Sequence, residues 1–151
     1  MYKNNGSAAS ASFGAMQANP FGLTGQYTMF KAVADIDGDG DMDILASAQD
    51  YSTYTNQFLY FENTGTAQNP SFGTPQINPW GLASPATAYI LVSELVDLDN
   101  DGDFDLLAQD AYYGNFFYYQ NNGSDSNPSF GAVQANPFGL TSPGLGVGYS
   151  R

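Results

Sequence analysis

The chain contains no cysteine and no histidine among its 151 residues. Disulfides, zinc sites of the Cys/His kind and imidazole acid–base chemistry are therefore excluded together. Basic residues are almost as scarce: Lys3, Lys31 and Arg151 stand against 15 acidic side chains, giving a formal net charge of −12. Such a surface cannot neutralise phosphates, which argues against nucleic acid and against anionic membrane surfaces as partners. No apolar run approaches the roughly 18 residues of a membrane-spanning helix, so no membrane insertion is expected. The opening Met1-Tyr-Lys-Asn-Asn5 lacks the apolar centre of a signal peptide, so a secreted protein would have lost its signal or carried it outside this segment. Lack of cysteine leaves an extracellular location open.

Acidic residues are abundant, and they are concentrated. Asp35-Ile-Asp37-Gly-Asp39-Gly-Asp41-Met-Asp43 is matched by Asp97-Leu-Asp99-Asn-Asp101-Gly-Asp103-Phe-Asp105, so ten of the 15 acidic side chains lie in two nine-residue windows. Two like charges about 5 Å apart repel by roughly 0.8 kcal/mol even in bulk water. A hard cation bound by oxygen resolves this crowding, and Ca2+ takes six to eight oxygen ligands in tolerant geometry. Two such ions would bring the net charge from −12 to −8. Positions 1, 3, 5 and 9 of each loop can converge as carboxylates, while position 7 can offer its carbonyl. Gly40 and Gly102 supply a permissive backbone at position 6; Gly38 becomes Asn100 at position 4, the next residue most tolerant of a left-handed conformation. An EF-hand would require Glu at position 12, where Ala46 and Ala108 stand, and flanking helices. The Gly-rich nonapeptide of calcium-binding β-rolls is also absent. Coordination is expected to close at position 9 inside a strand–loop–strand hairpin.

A second level of repetition frames the loops. Asn63-Thr-Gly65, Asn69-Pro-Ser-Phe-Gly73 and Asn78-Pro-Trp-Gly-Leu82 recur as Asn121-Asn-Gly123, Asn127-Pro-Ser-Phe-Gly131 and Asn136-Pro-Phe-Gly-Leu140. An earlier copy reads Asn4-Asn-Gly6, Ser12-Phe-Gly14 and Asn19-Pro-Phe-Gly-Leu23. Strand-like runs fill each period: 27–34, 42–48, 58–61 and 72–77, then 88–96, 104–109, 116–119 and 130–134. No stretch has helical periodicity with caps. Four short strands per unit of about 60 residues is the pattern of a β-propeller blade, with a β-solenoid as the alternative. The expected fold is all-β: four-stranded antiparallel blades of a propeller-type array, two full blades with partial terminal units. The divisions are 1–23 (last strands of a blade), 24–82 (full blade with loop 1), 83–140 (full blade with loop 2) and 141–151 (start of another). A complete propeller needs at least four blades. Open strand edges therefore imply self-association or completion by adjacent repeats.

The Asp loop, the aromatic run, Asn-x-Gly and Asn-Pro-x-Phe-Gly together resemble the FG-GAP/VCBS family of repeats. The resemblance implies blades of integrin-like β-propellers in adhesion and surface proteins, with Ca2+ between the first two strands. It implies Asp35, Asp37, Asp39 and Asp43 as side-chain ligands with the carbonyl of Asp41, and Asp97, Asp99, Asp101 and Asp105 with the carbonyl of Asp103. An extracellular or cell-surface location and a structural or adhesive role follow as expectations.

No enzyme is expected, because no base or nucleophile accompanies the loops, and Glu62 and Glu94 are isolated carboxylates. The Phe116–Tyr119 run reads as core; Tyr51, Tyr54, Tyr112 and Tyr113 fall between strands, and a glycan is the alternative partner they would contact. Trp80, in the place of Phe21 and Phe138, reads as a packing position between blades. Asn5-Gly-Ser7 and Asn122-Gly-Ser124 match the glycosylation sequon but also fit tight turns.

Overall fold

A computed structural model describes residues 1–23, 28–50, 52–53 and 55–141. Tyr27, Tyr51, Tyr54 and residues 142–151 of the expected terminal unit lie outside the described residues. The fold is all-β. Strands β1 (Thr28–Ala34), β2 (Asp43–Asp50), β3 (Thr55–Phe61) and β4 (Gln76–Ile77) form one antiparallel sheet in chain order. Strands β5 (Leu91–Val96), β6 (Asp105–Asp110), β7 (Phe116–Tyr119) and β8 (Gln134–Ala135) form a second of the same topology. Each sheet has the make-up of a propeller blade, and the described residues do not close a ring.

Side chains alternate across a strand, and both faces of the first sheet are buried. Phe58 and Tyr60 of β3 join Leu45, Leu106, Ala108, Phe117, Tyr119 and Phe130 in the core between the sheets. Leu59 and Phe61 point the other way, onto Ala46, Ala48 and Phe72. Burial on two faces is why the run Phe58-Leu-Tyr-Phe61 is continuously apolar rather than alternating. The junction is tight: Leu45, Phe58 and Leu106 are fully buried. Each such side chain contributes about 1.5–3 kcal/mol by leaving water. Phe58 meets Tyr119 edge-on at 5.6 Å between ring centroids. Polar bonds cross the same junction, from Ser47 Oγ to the Leu91 carbonyl (2.6 Å) and from Asn56 Nδ2 to the Ala88 carbonyl (2.8 Å).

Several strand boundaries differ from expectation: β2 runs on to Asp50 and β3 begins at Thr55, because the two pair as far as Asp50 with Thr55. The strand expected from Ala88 starts at Leu91, because the amides of Tyr89 and Ile90 donate to the buried carboxylate of Asp110 (3.0 and 3.2 Å). The fourth strand is two residues long in each sheet. Phe72 and Phe130 lie outside it, each making a single bridge, to Asn63 and Asn121. Their amides turn outward to the Phe21 and Trp80 carbonyls (both 2.8 Å). Each Asn-Pro-aromatic-Gly segment forms a tight turn, Pro20–Gly22, Pro79–Gly81 and Pro137–Gly139, closed by the amide of the following Leu donating to the Pro carbonyl (3.1, 2.9 and 2.9 Å). The preceding Asn and the aromatic residue both have positive φ in every copy. Among the described residues no helix is long and apolar enough to cross a membrane.

Candidate metal centres

Loop 1 joins β1 to β2 and loop 2 joins β5 to β6. Each curls by carboxylates accepting hydrogen bonds from amides a few residues ahead. Asp35 Oδ2 accepts from Gly40, Asp37 Oδ1 from Asp39 and Asp39 Oδ1 from Asp41 (3.0, 3.2 and 3.0 Å). In loop 2, Asp97 Oδ1 accepts from Asp101, its Oδ2 from Gly102, and Asp101 Oδ1 from Asp103 (3.2 Å each). The curl needs left-handed backbone, found at Gly38 and Gly40 (φ 75° and 96°) and at Asn100 and Gly102 (φ 63° and 103°). Gly38 has a second reason to lack a side chain: a Cβ there would sit 3.0 Å from the Cβ of Ser126.

The curl brings one carboxylate oxygen each from Asp35, Asp37 and Asp39 within 4.8 Å of one another, and likewise from Asp97, Asp99 and Asp101. At that separation each pair of charges repels by about 0.9 kcal/mol in water and by several times more where burial lowers the dielectric. Asp41 and Asp103, at position 7, are only 6% and 8% exposed. Asp35 Oδ1, Asp41 Oδ1 and Asp103 Oδ1 are buried with no hydrogen-bond partner. Burial foremost, and then the Asp39 charge, pushes the Asp41 carboxyl above its ordinary range; burial and the Asp101 charge do the same for Asp103. Asp37 is raised by burial and by Asp43. Buried oxygens without partners and mutually repelling carboxylates are costly, and a cation held between them would offset that cost. An all-oxygen donor set of this kind fits a hard divalent cation such as Ca2+.

Position 9 is placed differently. Asp43 is 1% exposed and sits at the base of the loop. Its Oδ2 accepts from the Ile36 amide (3.1 Å) and the Tyr60 hydroxyl (3.0 Å), and its Oδ1 from the Asn63 amide (2.8 Å). Asp105 repeats the pattern with Leu98 (3.1 Å), Tyr118 (2.8 Å) and Asn121 (2.8 Å). Burial raises the Asp43 carboxyl, while the bonds from Asn63, Ile36 and Tyr60 pull it back. Asp43 and Asp105 thus tie loop, third strand and following turn together, and they stand outside the two groups of converging oxygens.

Sequence reasoning missed Tyr60, Tyr118, Asn63 and Asn121 as parts of the site. Asn63 Oδ1 accepts from Gly65 and Ser71 (3.1 and 2.9 Å), and Asn121 Oδ1 from Gly123 and Ser129 (3.0 and 2.8 Å), so each Asn fixes the turn whose amide grips position 9. The available signal was Tyr, then any two residues, then Asn, at the same spacing in both repeats (Tyr60 to Asn63, Tyr118 to Asn121). Gln120 was also missed; its amide donates to Asp99 Oδ2 (2.7 Å).

Residues 32–65 match the family model described as FG-GAP repeat. The match spans the end of β1 from Ala32, loop 1, β2, β3 and the Asn63-Thr-Gly65 turn. Comparison with curated proteins and with solved structures gives no match.

Proposed function

We propose, from the FG-GAP repeat matched over residues 32–65 and the two blade-like sheets, that this chain is a calcium-stabilised extracellular repeat module of the integrin-like β-propeller kind. Its role on this reading is structural or adhesive, and it is not an enzyme. The observation that carries the reading is the duplicated set of converging carboxylates with buried, unpartnered oxygens at Asp35, Asp41 and Asp103. Asp35, Asp37, Asp39 and Asp41 would hold the ion in loop 1, and Asp97, Asp99, Asp101 and Asp103 in loop 2. The ion would supply counter-charge and cross-linking of a loop that otherwise repels itself. Asp43 and Asp105 orient each loop from below. Millimolar Ca2+ outside cells suits charge-dense loops of this kind. Isothermal titration calorimetry of the calcium-stripped chain should give two calcium equivalents; a chain that takes up none ends the proposal.

One observation favours a second reading, a carbohydrate-binding module. Tyr89 lies 5.2 Å from Tyr112, and Tyr112 lies 4.8 Å from Tyr113, ring centroid to centroid, with all three rings exposed. Exposed, clustered tyrosine side chains of this kind can stack on the apolar faces of sugars. Glycan-array binding that disappears in Tyr113→Ala supports it, and an array at background removes it.

A further inference from the structure

The chain makes one kind of joint twice. At each joint, the Asn-Pro-aromatic-Gly turn of one repeat meets the Ser-Phe-Gly segment of the next. The Phe72 amide donates to the Phe21 carbonyl, and the Phe130 amide to the Trp80 carbonyl, both at 2.8 Å. The glycine of the turn lets the backbones close: a Cβ at Gly22 would lie 2.5 Å from the Phe72 carbonyl oxygen, and one at Gly81 would lie 2.9 Å from that of Phe130. Closure buries the two docked rings, leaving Phe72 9% and Phe130 7% exposed.

A third turn and a third segment have the same local form and, among the described residues, no mate. The turn at Pro137–Gly139 keeps the left-handed Asn136 (φ 48°), Phe138 (φ 56°) and Gly139 (φ 73°). Bulky residues rarely adopt positive φ, so this turn holds a joint-forming shape with none of the described residues docked on it. Nothing described lies within 4 Å of a Cβ built at Gly139, and Phe138 is 68% exposed. At the other end, Phe13 carries the same bridge to Asn4 that Phe72 makes to Asn63, yet it is 65% exposed. Among the described residues the Phe13 amide and the Phe138 carbonyl form no backbone bond of the joint type. The sheet face beside the free turn is open as well. Leu107 and Phe116 are half-buried where their counterparts Leu45 and Phe58 are fully enclosed.

We propose that the Pro137–Gly139 turn receives the Ser12-Phe13-Gly14 segment of a second copy of this chain, head to tail. The warrant is continuity with the two joints already made: the free turn and the free segment are the matching halves of that same interface. A heterologous contact of this type either closes a ring of copies or propagates as a filament. It uses none of the loop carboxylates, so it stands or falls separately from the calcium reading.

Sedimentation velocity over a concentration series tests it, in calcium and in EDTA. The wild type should gain mass with concentration. Gly139→Asn should stay a single copy: Asn tolerates the left-handed backbone and meets open space in the lone chain, but its Cβ would strike the incoming Phe13 carbonyl. Phe13→Asp, at an exposed site, should also stay a single copy. Each variant keeps the half that the other lacks, so an equimolar mixture should form a two-chain species while keeping the wild-type melting temperature. A wild type of single-copy mass throughout, or oligomers that survive both substitutions, overturns the proposal; the first result would assign the turn to a partner of different sequence.

Discussion

At the scale of single residues, the Tyr60 hydroxyl and the Asn63 amide both donate to Asp43, and Tyr118 and Asn121 do so to Asp105. Burial lifts both tyrosine hydroxyls well above their usual range, so they remain donors throughout neutral pH. A hydrogen bond to a charged group contributes about 1.5–3 kcal/mol. Tyr60→Phe and Tyr118→Phe should each lose roughly that much in urea denaturation, and Asn63→Ala should lose more, because its Oδ1 serves two further amides. Titration gives a second expectation. Asp37, Asp41, Asp43 and Asp103 are all raised by burial, whereas Asp50 is lowered by Ser52. A raised carboxyl binds its proton more tightly folded than unfolded, so its stabilisation is complete at low pH and lost as pH rises through the raised value. In EDTA, the melting temperature should therefore climb as pH falls through the raised carboxyl range above the ordinary value of 3.8, and in calcium it should fall, because protons then displace the ion. Parallel profiles in the two buffers would contradict this. The aspartates of the site were legible because crowded charge has few solutions. Tyr60 was not: inside an aromatic run its hydroxyl is invisible until the register Leu45–Tyr60 sets it beside Asp43.

The two loops, compared as elements, are not equivalent. Asp35 and Asp37 are half-buried while Asp97, Asp99 and Asp101 are exposed. The difference traces to the neighbouring repeat, whose Ser126 lies against Gly38. Position 4 of loop 2 carries an exposed Asn100, which explains why a side chain is tolerated there and not at Gly38. Gln120 occupies one carboxylate oxygen of Asp99, whereas Glu62 stands in its place in the first repeat and donates nothing. Less solvated, less occupied carboxylates gain more from a cation. Calorimetry should resolve two calcium steps, with Asp37→Asn abolishing the tighter and Asp99→Asn the weaker; the reverse assignment would refute the comparison. Loop positions and the second and third strands were readable from spacing and apolar content. The late start of β5 was not, because Asp110 is remote in sequence from the Tyr89 and Ile90 amides it accepts from. Nor was the shortness of the fourth strands, which follows from Phe72 and Phe130 giving their amides to the preceding repeat.

Across the whole molecule, two sheets share one core, and each blade carries its acidic loop between its first and second strands. The repeat period disclosed this arrangement because a four-stranded unit cannot bury both faces alone and must stack on its neighbour. The joints between repeats were hidden, since they rest on backbone carbonyls and on left-handed φ at Phe21, Trp80 and Phe138 that aromatic residues do not announce. Clustered charge and shared core are coupled in this fold: Ile36, between Asp35 and Asp37 at the start of loop 1, is buried in the core between the sheets. Quieting the loop therefore stabilises the junction. Binding at a hundred times the dissociation constant would add about 2.7 kcal/mol per site. Thermal unfolding followed with and without calcium is the most direct measurement. The melting temperature should rise progressively with calcium concentration and drop on adding EDTA; superimposable melts in calcium and in EDTA would contradict the account.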